Sequence, residues 1–318
     1  MSYWMSMHDR VEDYLDIRRS LGYALRVEGE ELNRFARFAK ARGHKSALTV
    51  EPALAWANAS QKASPLYRAR RLEMVRCLAK YCVLFEPETE IPTPGLLGPA
   101  HRRVTPHIYS EQEIADLLAA AGHLAPQDGL RPLTMRCFLG LLASTGLRVS
   151  EALRLTRNDI NFTDGVLTVW ETKFRKSRHV PLHDTAVEAL NEYADLRDRR
   201  VPYSQTPHFF LTDDGQPFGY RQARYAFDQL RRQLGWESCD GRRPRLYDLR
   251  HTFACRRLQV WYEEGVDVDW ALPFLATYLG HGKVTDTYWY LTGIPSLMAI
   301  VSARFERLVC AGQEVAHG

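Results

Sequence analysis

The sequence predicts a mainly α-helical protein with one small antiparallel β-sheet, divided into two domains. Three observations lead there. Apolar residues recur at helical spacing over most of the chain, a short stretch after Asp159 switches to strand alternation, and a run crowded with proline and glycine interrupts the helical period at residues 86–106. At 318 residues, 45% hydrophobic and 25% charged, the chain is long enough for two cores and has globular rather than disordered or fibrous composition.

Residues 8–85 carry Val11, Tyr14 and Leu15, then Leu32, Phe35 and Phe38, with Gly22 and Gly43 in the breaks, which reads as a bundle of about four helices. The last of them, residues 64–85, holds Arg68, Arg70, Arg71, Arg76 and Lys80 against the single acid Glu73. Such a face is either merely solvated or a set of phosphate contacts, each cation releasing counterions from a duplex. Residues 1–86 are therefore the first domain, and residues 87–105, with Pro87, Pro92, Pro94, Gly95, Gly98 and Pro99 and the basic pair Arg102 and Arg103, are the linker.

The second domain runs over residues 106–318. It opens on Ser110 and Glu113 in capping-box spacing, the serine accepting an orphan backbone N–H and the glutamate reaching back. Residues 133–144 form an apolar helix ended by Gly146, and the next helix covers residues 149–155, with Arg148 at the junction. Asp164-Gly165 signals a tight turn, followed by alternation over residues 166–171 and again over 178–182 across a short basic turn. Helical period then returns from Asp184 to Val309, with breaks at residues 201–218 and 239–245.

Lysine and arginine total 42 against 38 acids, a formal charge of +4, which permits a polyanionic partner without demanding one. The six cysteines (Cys77, Cys82, Cys137, Cys239, Cys255, Cys310) show no CxxC spacing, so reduced core residues are expected and no metal. Asp9, Glu12, Asp13 and Asp16 break any early apolar run, so the expectation is a cytoplasmic protein without a signal peptide or a membrane partner.

Four segments of the second domain carry chemistry: Thr145-Gly146-Leu147-Arg148-Val149-Ser150-Glu151, then Lys173, then Asp248-Leu249-Arg250-His251, then Leu279-Gly280-His281 followed by Tyr290. In this order and separation the chain resembles the tyrosine recombinase, or phage integrase, family over residues 106–295, and more loosely that family's core-binding domain over the N-terminal helices. The resemblance implies a two-domain DNA clamp and a metal-free, cofactor-free reaction. A tyrosine attacks a DNA phosphodiester, a 3′-phosphotyrosyl link forms, a 5′-hydroxyl leaves, and another strand's 5′-hydroxyl reverses the step.

The residue types suit that reaction. Negative charge on the non-bridging oxygens of a pentavalent phosphorus matches planar guanidinium forks, so Arg148 and Arg250 are the expected clamps and His281 a further donor. Glu151, one turn after Arg148, is placed to orient it, or forms an ordinary exposed ion pair. Lys173 is the expected general acid on a hairpin, since an ammonium gives up a proton where a guanidinium does not; Lys176 is its rival, and Arg175 and Lys176 are also candidate DNA contacts. Tyr290, nine residues after His281 and completing T-x-x-Y with Thr287, is preferred to Tyr288 as nucleophile, its phenolate to be stabilised by nearby cations.

One departure stands out. The family keeps a histidine three residues before its second arginine, where this chain has Tyr247. A phenol donates a hydrogen bond but is a poor base near neutrality, and His251 is expected to point elsewhere on its helix. Residues 295–309 place Leu297, Met298, Val301, Phe305 and Leu308 on one helical face, either packed within the chain or, as the resemblance implies, docked into a neighbouring copy in a tetramer on DNA. The partners expected are double-stranded DNA sites, further copies of the chain and accessory proteins; the absence of a domain before His8 argues against an arm-site-binding module. The element served is expected to be mobile. A type IB topoisomerase-like activity and a non-cleaving DNA-binding relative remain the alternatives.

Overall fold

The computed structural model describes residues 5–60, 62–101, 104–170, 177–236 and 243–292. It divides into two compact units, residues 1–104 and 105–318.

In the first unit four helices enclose one core: α1 (Met7–Ser20), α2 (Arg26–Ala41), α3 (Val50–Asn58) and α4 (Pro65–Cys82). Ser6 caps α1 in a capping box with Asp9, and Ser64 caps α4, where Pro65 occupies a first-turn position that needs no N–H. Val11, Leu15, Leu32, Phe35, Trp56, Leu72, Val75 and Leu78 fill the interior. Much of the stretch read as a linker is tied to this unit: Glu90 N–H donates to the Leu48 carbonyl at 2.8 Å, Arg76 Nε to Pro92 O at 3.0 Å and Arg70 Nε to Ala100 O at 3.1 Å.

The second unit contains α5 (Glu111–Ala121), α6 (Arg131–Thr145), the four-residue α7 (Val149–Ala152), a 3-10 turn (Arg157–Asp159), strands β1 (Ile160–Asn161), β2 (Val166–Val169) and β3 (Arg178–Pro181), then α8 (Asp184–Arg200), α9 (Tyr220–Gln233), α10 (Asp248–Glu263), α11 (Val268–Leu279) and α12 (Thr285–Thr292). The sheet is antiparallel in the order β1-β2-β3, with Leu167 opposite both Ile160 and Val180. Two strands were expected; β1 is the addition, and it is only two residues long, too short for an alternation signal. The helix expected over residues 149–155 stops at Ala152, and the final helical stretch is broken further before Val268 and before Thr285. Among the described residues no helix is long and apolar enough to cross a membrane.

Two apolar clusters organise this unit. The larger one packs α6, through Met135, Phe138 and Leu142, against Tyr193 of α8, Phe209, Phe210 and Leu230 of α9. The smaller one joins α10, α11 and α12 through Ala254, Leu258, Leu272, Leu275, Leu279 and Tyr290.

Candidate active site

Three consecutive carbonyls at the C-terminal end of α11 receive three arginines. Tyr278 O accepts from Arg178 Nε at 2.7 Å, Leu279 O from Arg250 Nη2 at 2.6 Å and Gly280 O from Arg148 Nη2 at 2.8 Å. The last carbonyls of a helix lack intrahelical partners and form the negative end of its dipole, so guanidinium groups there satisfy hydrogen bonds and charge together. Gly280 ends the helix in the left-handed region (φ +67°), and a Cβ there would lie 2.8 Å from Arg178 Nη1.

Arg148 caps α7 in extended conformation directly after Gly146, whose own left-handed φ of +63° ends α6. The buried Glu151 carboxylate accepts from Arg148 Nη1 at 2.6 Å and from the Arg148 backbone N–H at 3.0 Å. It also accepts a fork from Arg178, at 3.2 and 2.8 Å. Burial alone would raise its pKa; the bonds and charges of Arg178, then of Arg148, outweigh that and bring it to about 2, so it stays ionised.

Arg250, in the first turn of α10, is 1% exposed and donates Nη1 to Gly146 O at 2.8 Å. Burial, reinforced by Arg148, lowers its pKa. Among the described residues its guanidinium bonds carbonyls and forms no carboxylate pair. Arg148 and Arg178 thus share the carboxylate of Glu151, and Arg250 adds a third positive charge beside them without a carboxylate partner among the described residues. Buried charge of one sign is costly without compensation, and the arrangement suits an incoming anion.

Tyr290, on α12, is 3% exposed and its hydroxyl is hydrogen-bonded to Arg250. Its ring stacks on His281 (centroids 6.0 Å, interplanar angle 15°) and lies 5.4 Å from His251. Burial pushes the phenol up to about 12, with Arg250 pulling partway back. Desolvation therefore outweighs the cations at this phenol. Tyr288, two residues earlier, is 45% exposed.

His281 Nδ1 lies 2.7 Å from Thr287 Oγ1. With the threonine hydroxyl donating, the ring proton sits on Nε2, the tautomer that donates to an oxygen. Burial holds His281 down to about 4, so it is neutral near pH 7. Threonine in T-x-x-Y thereby has a physical task, fixing the histidine one turn behind the tyrosine.

The expectation for His251 is corrected. Its ring lies 4.9 Å from Tyr247 and, as above, beside Tyr290, because one helical turn separates positions 247 and 251 and α12 closes over that face of α10. Burial lowers it to about 4. Tyr247 itself is 45% exposed.

Arg71 is also corrected. It is buried, with its guanidinium 3.9 Å above the Trp56 ring and 3.5 Å from Glu31, because position 71 falls on the inward face of α4 with Leu72, Val75 and Leu78. Arg70 and Lys80 are exposed, Arg68 is partly buried, and Arg76 is partly buried and paired with Glu73 at 2.9 Å. Lys173, Arg175, Lys176, Arg102, Arg103 and the amphipathic stretch 295–309 lie outside the described residues.

Arg178 was missed in the sequence. The signal was available: it stands two residues before the buried Val180 on a strand, so it shares that strand's inward face. Nothing local says what it meets there.

Residues 108–293 match the phage integrase family. The integrase/recombinase y4rB of Sinorhizobium fredii is 40% identical over 302 residues, 93% of this chain and 96% of that protein. Tyrosine recombinase XerC of Chlamydia muridarum is 30% identical over 221 residues, 70% of this chain and 65% of that protein. Among solved structures, the Tn1549 transposon integrase in complex with transposon right end DNA shares the fold, with a TM-score of 0.69 at 15% identity over 96% of this chain and 100% of that one. With the arginine cluster, the histidine and the tyrosine in one place, this chain belongs to the phage integrase family.

Proposed function

We propose that the chain is a site-specific DNA recombinase that cleaves and rejoins strands of a mobile element through a 3′-phosphotyrosyl intermediate at Tyr290. The observation that carries this reading is the buried Tyr290 hydroxyl hydrogen-bonded to Arg250 within a cluster of three arginines and one carboxylate. A scissile phosphate supplies the missing negative charge. Arg148, Arg250 and His281 then stabilise the pentavalent phosphorus, each donor contributing roughly two to three powers of ten in rate. Lys173 protonates the departing 5′-oxygen. Tyr247 donates a hydrogen bond to the phosphate where the family has histidine.

Arg68, Arg70, Arg76 and Lys80 of α4, with Arg102, Arg103, Arg175 and Lys176, supply phosphate contacts in this reading; Arg71 is withdrawn from that set. Association into a tetramer runs through residues 295–309 of one copy. Trp270 and Phe274, exposed and paired at 4.8 Å on the outer side of α11, are an apolar surface of the kind such a helix seeks. Accessory proteins join the complex, and the setting is cytoplasmic.

The test uses nicked duplexes carrying randomised arms, from which covalently linked DNA is recovered after denaturation and sequenced. On the recovered site, the wild type and Tyr288→Phe are expected to give a covalent band on a denaturing gel and Tyr290→Phe none. Tyr247 favours one second reading, a DNA-binding relative that does not cleave. Retention of a DNA site without any covalent band would establish that reading instead.

A further inference from the structure

Arg178 lies outside the four motifs that carry the reaction. Yet it is among the most constrained side chains of the site. Its side chain is 9% exposed, its guanidinium forks onto both oxygens of Glu151, and its Nε is held by the Tyr278 carbonyl. It stands on β3, five residues after Lys173 in sequence. We propose that Arg178 is a positioning residue for phosphoryl transfer: by sharing the Glu151 carboxylate, it leaves Arg148 with uncompensated positive charge for the scissile phosphate. This rests on the recombinase reading above.

A carboxylate facing one arginine forms a bidentate pair that nearly neutralises it, and such an arginine is a weak anion ligand. Here Oε1 accepts from Arg148 Nη1 and Arg178 Nη1, while Oε2 accepts from the Arg148 backbone N–H and Arg178 Nη2. Arg148 therefore meets the carboxylate through a single guanidinium nitrogen, and its other terminal nitrogen is fixed on Gly280 O. Glu151 orients Arg148 without quenching it, because half of its capacity is taken by Arg178. Remove Arg178, and the whole negative charge of Glu151 falls on Arg148, its one remaining cation among these contacts. The requirement for glycine at position 280 follows from the same packing, since a Cβ there would displace the Arg178 fork.

The experiment compares strand cleavage by the full chain on the site recovered above, made once with the ordinary scissile phosphodiester and once with a methylphosphonate there. The methylphosphonate lacks one non-bridging charge, so it relieves a protein that has lost charge stabilisation. Arg148→Ala is the reference. For Arg178→Met the expected result is a cleavage rate lower by about a hundredfold on the phosphodiester, with KM unchanged, and most of that loss recovered on the methylphosphonate stereoisomer that also relieves Arg148→Ala. Arg178→Lys keeps one charge but not the fork, serves as the second variant should Arg178→Met fail to fold, and is expected to show the same selective recovery at a smaller defect.

Wild-type cleavage rates in both variants overturn the proposal. So does an equal defect on the two substrates, which marks a role in folding alone. If the wild type itself never links to DNA, the recombinase reading fails and this inference falls with it; a wild type that links normally isolates any failure to Arg178.

Discussion

At the residue scale the site is a set of groups whose protonation is decided by burial. His251 and His281 are each held at about 4, against an ordinary 6.5, because the folded chain desolvates them. As pH falls through 6.5 the unfolded chain takes up protons that the folded chain refuses until about 4, so stability declines with falling pH across that window. The expected observation is a urea midpoint that drops between pH 7 and pH 5, with a shallower drop for His251→Gln. An unchanged midpoint in the wild type would contradict the buried, neutral assignment. Tyr290 shows the same physics with opposite sign: burial raises it to about 12, so the phenol is protonated near neutrality. None of this is legible in the motif letters, since DLRH and T-x-x-Y specify spacing but not depth.

At the element scale, chain reversals position the chemistry. Gly146 ends α6 and Gly280 ends α11, each in the left-handed region; the Gly146 carbonyl accepts from Arg250 and the Gly280 carbonyl from Arg148. A Cβ at Gly146 would come within 2.6 Å of the Phe253 ring, on the helix that carries Arg250. Gly146→Ala is therefore expected to cost at least about 1–2 kcal/mol from backbone conformation alone, and more from displacing Phe253, as measured by chemical denaturation. A loss below a few tenths of a kcal/mol would show that the turn relaxes. The helix end at Gly146 was legible because glycine is the residue that adopts this conformation without strain; the same end at Gly280 was not read from the sequence. The short α7 was not: apolar spacing over residues 149–155 looks helical, but the chain leaves the helix after Ala152 to reach β1.

At the scale of the whole molecule, the two units separate stability from binding in a testable way. In the first unit Arg71 belongs to the core and Arg70 and Lys80 face outward. Arg71→Ala is expected to lower the stability of that unit by about 2 kcal/mol, through loss of its contacts with Trp56 and Glu31. Arg70→Ala and Lys80→Ala should leave the unfolding midpoint in place, weaken DNA binding across sequences, and each reduce the slope of log K against log salt by about 1. Unaltered salt slopes would remove α4 from the DNA-binding face. The same five-cation pattern in the sequence therefore contains two kinds of residue, and only the inward face of the helix separates them.

The sequence by itself determined the mainly helical fold with its small sheet and supplied most of the residues that meet in the cluster, because these follow from local backbone preference, apolar spacing and motif order. Tertiary structure alone decided which charges meet. Arg148 reaches Gly280 across 132 residues, Arg250 reaches Gly146 across 104, and Arg178 meets Glu151 across 27. Pairings over such distances are set by how α6, α10, α11 and β3 pack, and a buried guanidinium takes whichever acceptors that packing presents. That is why Arg178, invisible as a motif, sits at the centre of the cluster, while Arg71, conspicuous as part of a basic run, does not face the solvent at all.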